Sequence, residues 1–218
     1  MSVERDQRSR GYETPRPDVQ ALVPLTSRRI LELGCSNGSL GAAIKTRQQT
    51  LVVGVENNRE YADIAAHRLD RVIVSDVEAF AMAEPPPEAP FDCLIAADVL
   101  EHLVNPWGAL ARCVAFLSPG AEVVISLPNI VYIRAIFRLL QTRTWPRDPE
   151  GIFDETHLRW FTRTDALDML RGVGLQPKLI RPNFFTEGWK LQIVRILART
   201  PLREYVAAQY VISATLPQ

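Results

Sequence analysis

The sequence predicts an α/β fold in which helices cover both faces of a doubly wound, mostly parallel sheet. In residues 28–45 a short apolar run is followed by a glycine-bearing turn and then by apolar residues at helical spacing, which indicates strand, tight turn and helix. Residues 51–56, LVVGVE, form a nearly continuous apolar run, as expected for a parallel strand covered on both faces. Ligands bind such sheets at the carboxyl ends of the strands, so we expect the site beside the glycine turn.

Length and charge are consistent with one domain spanning residues 1–218, with a disordered start (residues 1–10) and a substrate-side insertion (residues 130–163). Lys+Arg and Asp+Glu both number 25 in the 218 residues. A formal net charge of zero supplies no overall field that would attract nucleic acid or an anionic membrane, so neither is expected as a partner. A local basic patch stays open, formed by Arg134, Arg138, Arg143 and Arg147.

The cysteine pattern and the N-terminal residues favour a cytoplasmic protein. The three cysteines lie in a turn, a strand and a helix, without a C-x-x-C or Cys/His cluster, so neither a disulfide framework nor a metal site is expected. The start, MSVERDQRSR, lacks the apolar core of a signal peptide, and no apolar run reaches membrane-spanning length.

The glycine turn carries a resemblance to a known family. The pattern is G-x-x-x-G, without the G-x-G-x-x-G of dinucleotide sites and without the G-K-[ST] of a Walker loop. ELGCSNGSLGAAI resembles the E/D-x-G-x-G-x-G motif of class I S-adenosylmethionine-dependent methyltransferases, with Ser36 in place of the middle glycine. The resemblance implies that S-adenosylmethionine is the cofactor and that Glu32, Gly34, Cys35 and Gly38 bind it.

Two acids further along the chain are expected to bind the cofactor's nucleoside. Glu56 ends the second strand about twenty residues after the glycine turn, the spacing at which an acid accepts ribose hydroxyls, and Asn57 follows it. A surface acid at a strand end is the alternative. After the third strand the resemblance places Asp76 and Val77 at the adenine, while a helix cap is the other role for Asp76.

The segment before the first strand offers a cover for the cofactor. Tyr12 and Arg16 are expected to fold over the site, with Arg16 paired to the methionine carboxylate in a charge-assisted contact. Alternatively this segment is only a packing helix that starts near Asp18, which could cap it.

The stretch FDCLIAADVLEHL, residues 91–103, places polar residues at the end of the fourth strand. It resembles the fourth motif of class I methyltransferases in the branch with D-V-L-E-H. The resemblance implies that Asp98 and Val99 bind the cofactor and that His102 lies near the methyl-transfer site.

The segment D-x-T-H-L-R-x-F-T resembles bacterial methyltransferases of sugar, cell-surface-glycan and secondary-metabolite pathways. A helix is expected to begin just after it, with Thr164 and Asp165 as its cap. Histidine is the natural base for a hydroxyl acceptor, and the chain has three. His157 is the expected base, with His102 and Asp154 as alternatives, and His67 is expected on the surface. A purely structural loop that closes the sheet edge stays open.

The resemblance also implies a seven-stranded sheet whose last strand is antiparallel and inserted between strands five and six. The function implied is O-methylation of a small-molecule acceptor, such as a sugar or a glycosylated metabolite. The alternatives are a non-catalytic S-adenosylmethionine-binding regulator, and methylation of nitrogen or carbon in a small metabolite. A homodimer also stays open.

Overall fold

The computed structural model describes residues 13–184, 196–200 and 202–218. Seven strands alternate with helices along most of this length. The strands are β1 Arg29–Leu33, β2 Leu51–Glu56, β3 Arg71–Val74, β4 Phe91–Ala97, β5 Leu117–Pro128, β6 Gln176–Asn183 and β7 Gln209–Thr215. The helices are α1 Pro17–Gln20, α2 Ser39–Arg47, α3 Arg59–Ala65, α4 Val77–Met82, α5 Pro106–Val114, α6 Ile133–Thr142, α7 Arg163–Gly172 and α8 Arg203–Val206, with a 3₁₀ turn at Leu100–His102.

The sheet has the order β3-β2-β1-β4-β5-β7-β6. β1 pairs in parallel with both β2 and β4, and β4 pairs in parallel with β5. β7 lies between β5 and β6 and is antiparallel to both. The predicted doubly wound sheet and its inserted antiparallel last strand are therefore confirmed.

Both faces of the sheet are covered, as the apolar strands require. In β1, Leu31 and Leu33 pack into the core layer that contains α4, α5 and α7. Ile30 points to the other face and packs with Val19 of α1 and Ile44 of α2. A strand buried on both faces has little room for polar residues. A buried acid such as Glu32 is therefore unusual within β1.

Local capping explains where several helices begin. Asn58 and Asp76 each accept backbone N–H bonds at the first turn of α3 and α4, as N-cap residues do. Asn105 caps α5, with a proline at the first position of the helix. The cap of α7 is Thr162, which forms a reciprocal capping box with Asp165. The expectation that Thr164 caps this helix was therefore wrong.

Two further expectations concern the terminal segments of the chain. Asp18 does not cap α1, because the residue at the cap is Arg16 with φ 46° and Asp18 pairs with its guanidinium. The sequence pattern also predicts helical residues over 188–198, a stretch that lies largely outside the described residues. The disordered start expected over 1–10 lies wholly outside them. Among the described residues, no helix is both long and apolar enough to cross a membrane.

Candidate active site

A cavity of about 700 Å³ opens at the carboxyl ends of β1, β2 and β4. Its lining runs from the ends of β2 and β3, across the glycine turn, to the loops after β4 and α6. The predicted site residues that line it are Arg16, Glu32, Gly34, Cys35, Glu56, Asn57, Asp76, Val77, Asp98, Val99, His102, Asp154 and His157. The topology therefore gathers into one cavity residues that are far apart in the sequence.

The turn after β1 depends on glycine for its backbone shape. Gly34 and Gly38 have φ of 62° and 79°, and a Cβ on Gly34 would lie 2.4 Å from a Val99 methyl carbon. Ser36, between them, also has a positive φ of 49°, which a side chain disfavours. Its hydroxyl is buried and has no hydrogen-bond partner among the described residues. The middle position thus keeps the backbone conformation of a glycine and adds a hydroxyl.

Glu56 is a buried carboxylate held in place by backbone groups. Its Oε2 accepts from the backbone N–H of Ser36 at 2.8 Å, and its Oε1 accepts from that of Asn58 at 2.8 Å. The side chain lines the cavity but is only 7% exposed. Each carboxylate oxygen can accept a further bond, so Glu56 is a fixed, oriented acceptor for two neighbouring donors.

Glu32 lies beneath the glycine turn, where α2 packs on the sheet. It is 3% exposed, and its Oε2 has no hydrogen-bond partner among the described residues. Burial, together with the smaller effect of the charge of Glu56, raises the pKa of Glu32 to about 8 against the opposing effect of a backbone bond from Gly41. Glu32 is therefore protonated at neutral pH in the ligand-free protein.

Asp76 caps a helix and also lines the cavity. Its Oδ1 accepts from the backbone N–H groups of Glu78 and Ala79 at 2.8 and 3.2 Å, which confirms the helix cap. Asp76 and Val77 also line the cavity on the side of Glu56. The cap orients the carboxylate, and Oδ2 is the oxygen that can face a ligand.

Arg16 closes the cavity on the side of the N-terminal segment, at a polar cluster across the sheet edge. Its guanidinium forms ion pairs with Asp98 and Asp18. It also donates to Ser126 Oγ at 3.1 Å and to Gln209 Oε1 at 3.4 Å. Burial alone would lower the pKa of Arg16, but the neighbouring carboxylates outweigh it and raise that pKa. Arg16 thus joins the N-terminal segment to β4, β5 and β7.

Asp98 is the counterpart of Arg16 in this cluster. It has φ 57°, an unusual conformation for a residue with a side chain. Its Oδ1 accepts from Ser126 Oγ and from Gln209 Nε2, both at 2.7 Å. An acid and a guanidinium side by side in one cavity form complementary partners for a zwitterionic ligand. Tyr12, expected beside them, lies outside the described residues.

Two imidazole rings meet where the loops after β4 and α6 line the cavity. The rings of His102 and His157 have centroids 4.7 Å apart and are tilted by 71°. His157 Nδ1 is 3.2 Å from the carbonyl oxygen of Ile152; because a carbonyl only accepts, this nitrogen carries the proton and Nε2 is bare. Burial lowers the pKa of His157, with His102 adding to the effect, so His157 is neutral at neutral pH.

A short hydrogen-bond chain orients His102. Its Nδ1 lies 3.1 Å from Thr156 Oγ1 and 3.3 Å from the Thr156 carbonyl oxygen. Thr156 Oγ1 in turn donates to Asp154 Oδ1 at 2.6 Å. With Nδ1 donating into this chain, Nε2 of His102 is the nitrogen that can accept a proton. His102 is half-buried and lines the cavity.

Glu101 lies beneath the two histidines. It is 1% exposed, and neither carboxyl oxygen has a hydrogen-bond partner among the described residues. Its Oε1 is 4.0 Å from His157 Nε2. Burial raises the pKa of Glu101 well above its usual range, and the charge of Asp98 adds to that rise. One ligand atom from each of Glu101, His102 and His157 lies within 4.8 Å of the others, a donor set that also suits a divalent cation.

Comparison with known proteins identifies the family of this chain. A family model described as a methyltransferase domain matches residues 7–178, well over half of the chain. This chain belongs to that methyltransferase family. Its fold is that of the class I S-adenosylmethionine-dependent methyltransferases, and S-adenosylmethionine is their cofactor.

Individual proteins are similar to this methyltransferase. It is 33% identical over 116 residues to a ubiquinone biosynthesis O-methyltransferase of Xylella fastidiosa, a match that covers 51% of this chain and 46% of that protein. A protein of the same name from Ralstonia nicotianae is 26% identical over 174 residues, with 73% and 71% covered. A solved methyltransferase of Thermotoga maritima, a possible histamine N-methyltransferase, has a TM-score of 0.67 at 19% identity, covering 94% and 89%. At that identity the structural likeness shows the fold alone.

The residues present in the methyltransferase cavity fit S-adenosylmethionine. A buried carboxylate, Glu56, is fixed where adjacent ribose hydroxyls could donate to it, and the buried hydroxyl of Ser36 has no protein partner among the described residues. Arg16 and Asp98 offer opposite charges for a carboxylate and an ammonium. Within the described residues, these groups all border one cavity.

Sequence reasoning missed several residues of the methyltransferase site. Glu101, Thr156, Ser126 and Gln209 gain their roles from partners 28 to 111 positions away. Of these residues, only Glu101 stood in a motif that the sequence analysis used, the D-V-L-E-H stretch after β4.

The structure also places the other aromatic, histidine and cysteine residues that the sequence singles out. The position of Trp160 and Phe161 after His157 suggests an apolar wall for the acceptor, but neither side chain lines the cavity. Phe161 is in the core and Trp160 packs against Trp145. His67 is exposed just after α3, as predicted. All three cysteines are buried and unbridged, which confirms the absence of a disulfide framework.

Proposed function

We propose that this methyltransferase transfers the methyl group of S-adenosylmethionine to a hydroxyl oxygen of a small molecule. The observation that carries the proposal is the pair of imidazole rings that line the cavity, each with its Nδ1 held by an oxygen atom of the chain, which leaves Nε2 as the nitrogen that can accept a proton. A hydroxyl must lose a proton as its oxygen gains a methyl group, and a positioned histidine is the usual acceptor of that proton.

The cofactor supplies an activated methyl group on a sulfonium. What the chain contributes is binding and orientation. Glu56 accepts the ribose hydroxyls, Asp76 and Val77 hold the adenine, and Arg16 and Asp98 hold the carboxylate and the ammonium of the methionine part. Backbone and small side chains of the glycine turn, at Gly34 and Cys35, let this ligand approach the sheet edge closely. Gly38, also expected to bind the cofactor, does not line the cavity and lies against Ala65 of α3.

His157, His102 and Asp154 are the candidates for the base. His157 comes from the substrate-side loop, but its Nε2 is next to the buried carboxyl of Glu101, 4.0 Å away. His102 has its Nδ1 fixed by Thr156 and Asp154, so its Nε2 is oriented and accessible from the cavity. The geometry favours His102 as the base, with Asp154 orienting it and His157 packing against it.

The acceptor class rests on similarity. The segment from Asp154 to Phe161 resembles methyltransferases of sugars and glycosylated metabolites, whereas the curated relatives named above belong to ubiquinone biosynthesis. We propose a sugar or glycosylated hydroxyl first and a phenolic hydroxyl second. A phenol is far more acidic than a sugar alcohol, so it depends less on a base.

Labelled-methyl transfer to a panel of sugars and phenols tests the proposal, with His102→Ala, His157→Ala and Asp154→Asn compared at saturating cofactor. His102→Ala is expected to lower kcat by roughly a hundred-fold while the cofactor affinity is unchanged. Each assay is run with and without a chelator, because Glu101, His102 and His157 also suit a cation.

Distinct outcomes separate the alternatives. Normal turnover in His102→Ala with a dead His157→Ala would return the role of base to His157. Full activity in all three variants would refute a base and indicate an amine or an acidic phenol as the acceptor. Cofactor binding without transfer to any acceptor would favour a non-catalytic regulator.

A further inference from the structure

Helix α6 presents an apolar face to solvent. Ile133, Phe137 and Leu140 recur at helical spacing and are 50%, 61% and 71% exposed. The helix fully buries only Ala135. An ordinary surface helix turns its apolar stripe toward the core, so a stripe that faces outward indicates something outside the domain that covers it.

Basic residues outnumber acidic ones around this face. Residues 123–147 contain four basic residues, Arg134, Arg138, Arg143 and Arg147, and no Asp or Glu. Arg138 pairs with Asp148, and among the described residues none of the other three forms an ion pair. The chain as a whole has zero net charge, so the positive charge at α6 is a local feature.

Two indole rings lie beside the same segment. Trp145 and Trp160 are half-exposed and pack edge to face, with centroids 4.6 Å apart. Apolar side chains flanked by arginine and tryptophan form the composition of a helix that lies in the plane of a lipid–water interface. A peptide groove would need concave walls, whereas the hollow beside α6 is shallow and, within the part of the chain that the structure describes, is lined by residues of α6 alone.

We propose that α6, with Arg134, Arg143 and Arg147 beside it, docks the methyltransferase on an anionic lipid surface. The three apolar side chains enter the headgroup layer, and the guanidinium groups contact lipid phosphates. We expected no membrane partner because the net charge of the whole chain is zero. That expectation is wrong if positive charge and exposed apolar side chains are concentrated at α6.

The position of α6 in the fold places the proposed docking surface near the cavity. α6 follows β5 at the edge of the sheet where the cavity opens, and Arg138 ties it to Asp148. The next residues, 149–152, line the acceptor end of the cavity. Docking through α6 therefore brings the cavity mouth to the bilayer, where an acceptor with a hydrophobic chain could be reached.

Vesicle flotation of the full chain tests the proposal without requiring activity. Phosphatidylcholine vesicles are compared with vesicles that also contain phosphatidylglycerol, at low and at high salt. The wild-type chain is expected to float with the anionic vesicles, less so at high salt. Phe137→Ser is expected to weaken that partitioning by about tenfold or more, and Arg134→Gln with Arg143→Gln by about fivefold for each charge removed.

Matched controls are Leu179→Ser, a half-exposed apolar residue on β6, and Arg59→Gln on α3, both away from α6. Both are expected to float like the wild type, and all variants should keep the wild-type melting midpoint because the side chains are exposed. Failure of the wild type to float with anionic vesicles at low salt overturns the proposal, as does equal flotation of Phe137→Ser. If Phe137→Ser instead converts a dimer to a monomer without changing flotation, a second copy covers α6 and the lipid proposal is wrong.

Discussion

Glu56 offers the sharpest test of the cofactor site. In Glu56→Ala the backbone N–H groups of Ser36 and Asn58 lose acceptors 2.8 Å away, and the ribose loses its carboxylate. Hydrogen bonds to a charged group contribute about 1.5–3 kcal/mol each, and part of that is regained from water. We therefore expect a net loss of about 1–3 kcal/mol in S-adenosylmethionine binding, which raises the dissociation constant by roughly 5- to 150-fold.

Glu56→Gln separates the two effects. The amide keeps one acceptor oxygen and nearly the same shape, so we expect a smaller loss of affinity and a smaller loss of stability than with alanine. Titration calorimetry with S-adenosylmethionine measures the affinity, and thermal melting of the ligand-free variants shows whether they fold. A folded Glu56→Ala chain with wild-type affinity would remove Glu56 from the cofactor site and refute this assignment.

Two further predictions concern charged groups in the same cavity. Arg16→Gln should weaken cofactor binding at least tenfold, because its charge-assisted contact to the carboxylate is lost, whereas Arg59→Gln should not; equal calorimetric affinities would show that Arg16 is structural. Glu32 has an ordinary pKa of 4.5 that burial raises to about 8, so between these values the folded state holds one proton more than the unfolded state. The free energy of unfolding should therefore fall as pH rises through that range, by up to about 1.4 kcal/mol per pH unit. Urea unfolding should show a flatter profile for Glu32→Gln, and identical profiles would contradict a raised pKa.

The sequence determined the parts of this protein that depend on neighbours along the chain. The glycine turn at Gly34 and Gly38 follows from the requirement for positive φ, and the continuous apolar runs of β1 and β2 follow from burial on both faces. The cap at Asp76 is likewise local, since its carboxylate reaches N–H groups two and three residues on. Because these features are local, their residues could be named before the fold was known.

The tertiary structure decided what depends on distant residues meeting. Arg16 reaches Asp98 across 82 positions, and His102 reaches Thr156 across 54, because parallel strands bring their carboxyl ends to one edge of the sheet. Burial of Glu101 beneath both histidines, with a raised pKa as the result, follows from packing that no local pattern encodes. The outward face of α6 belongs here as well. Its amphipathic spacing is visible in the sequence, but only the fold shows that Ile133, Phe137 and Leu140 face solvent, because the direction of a helix face depends on how the helix packs on the rest of the domain.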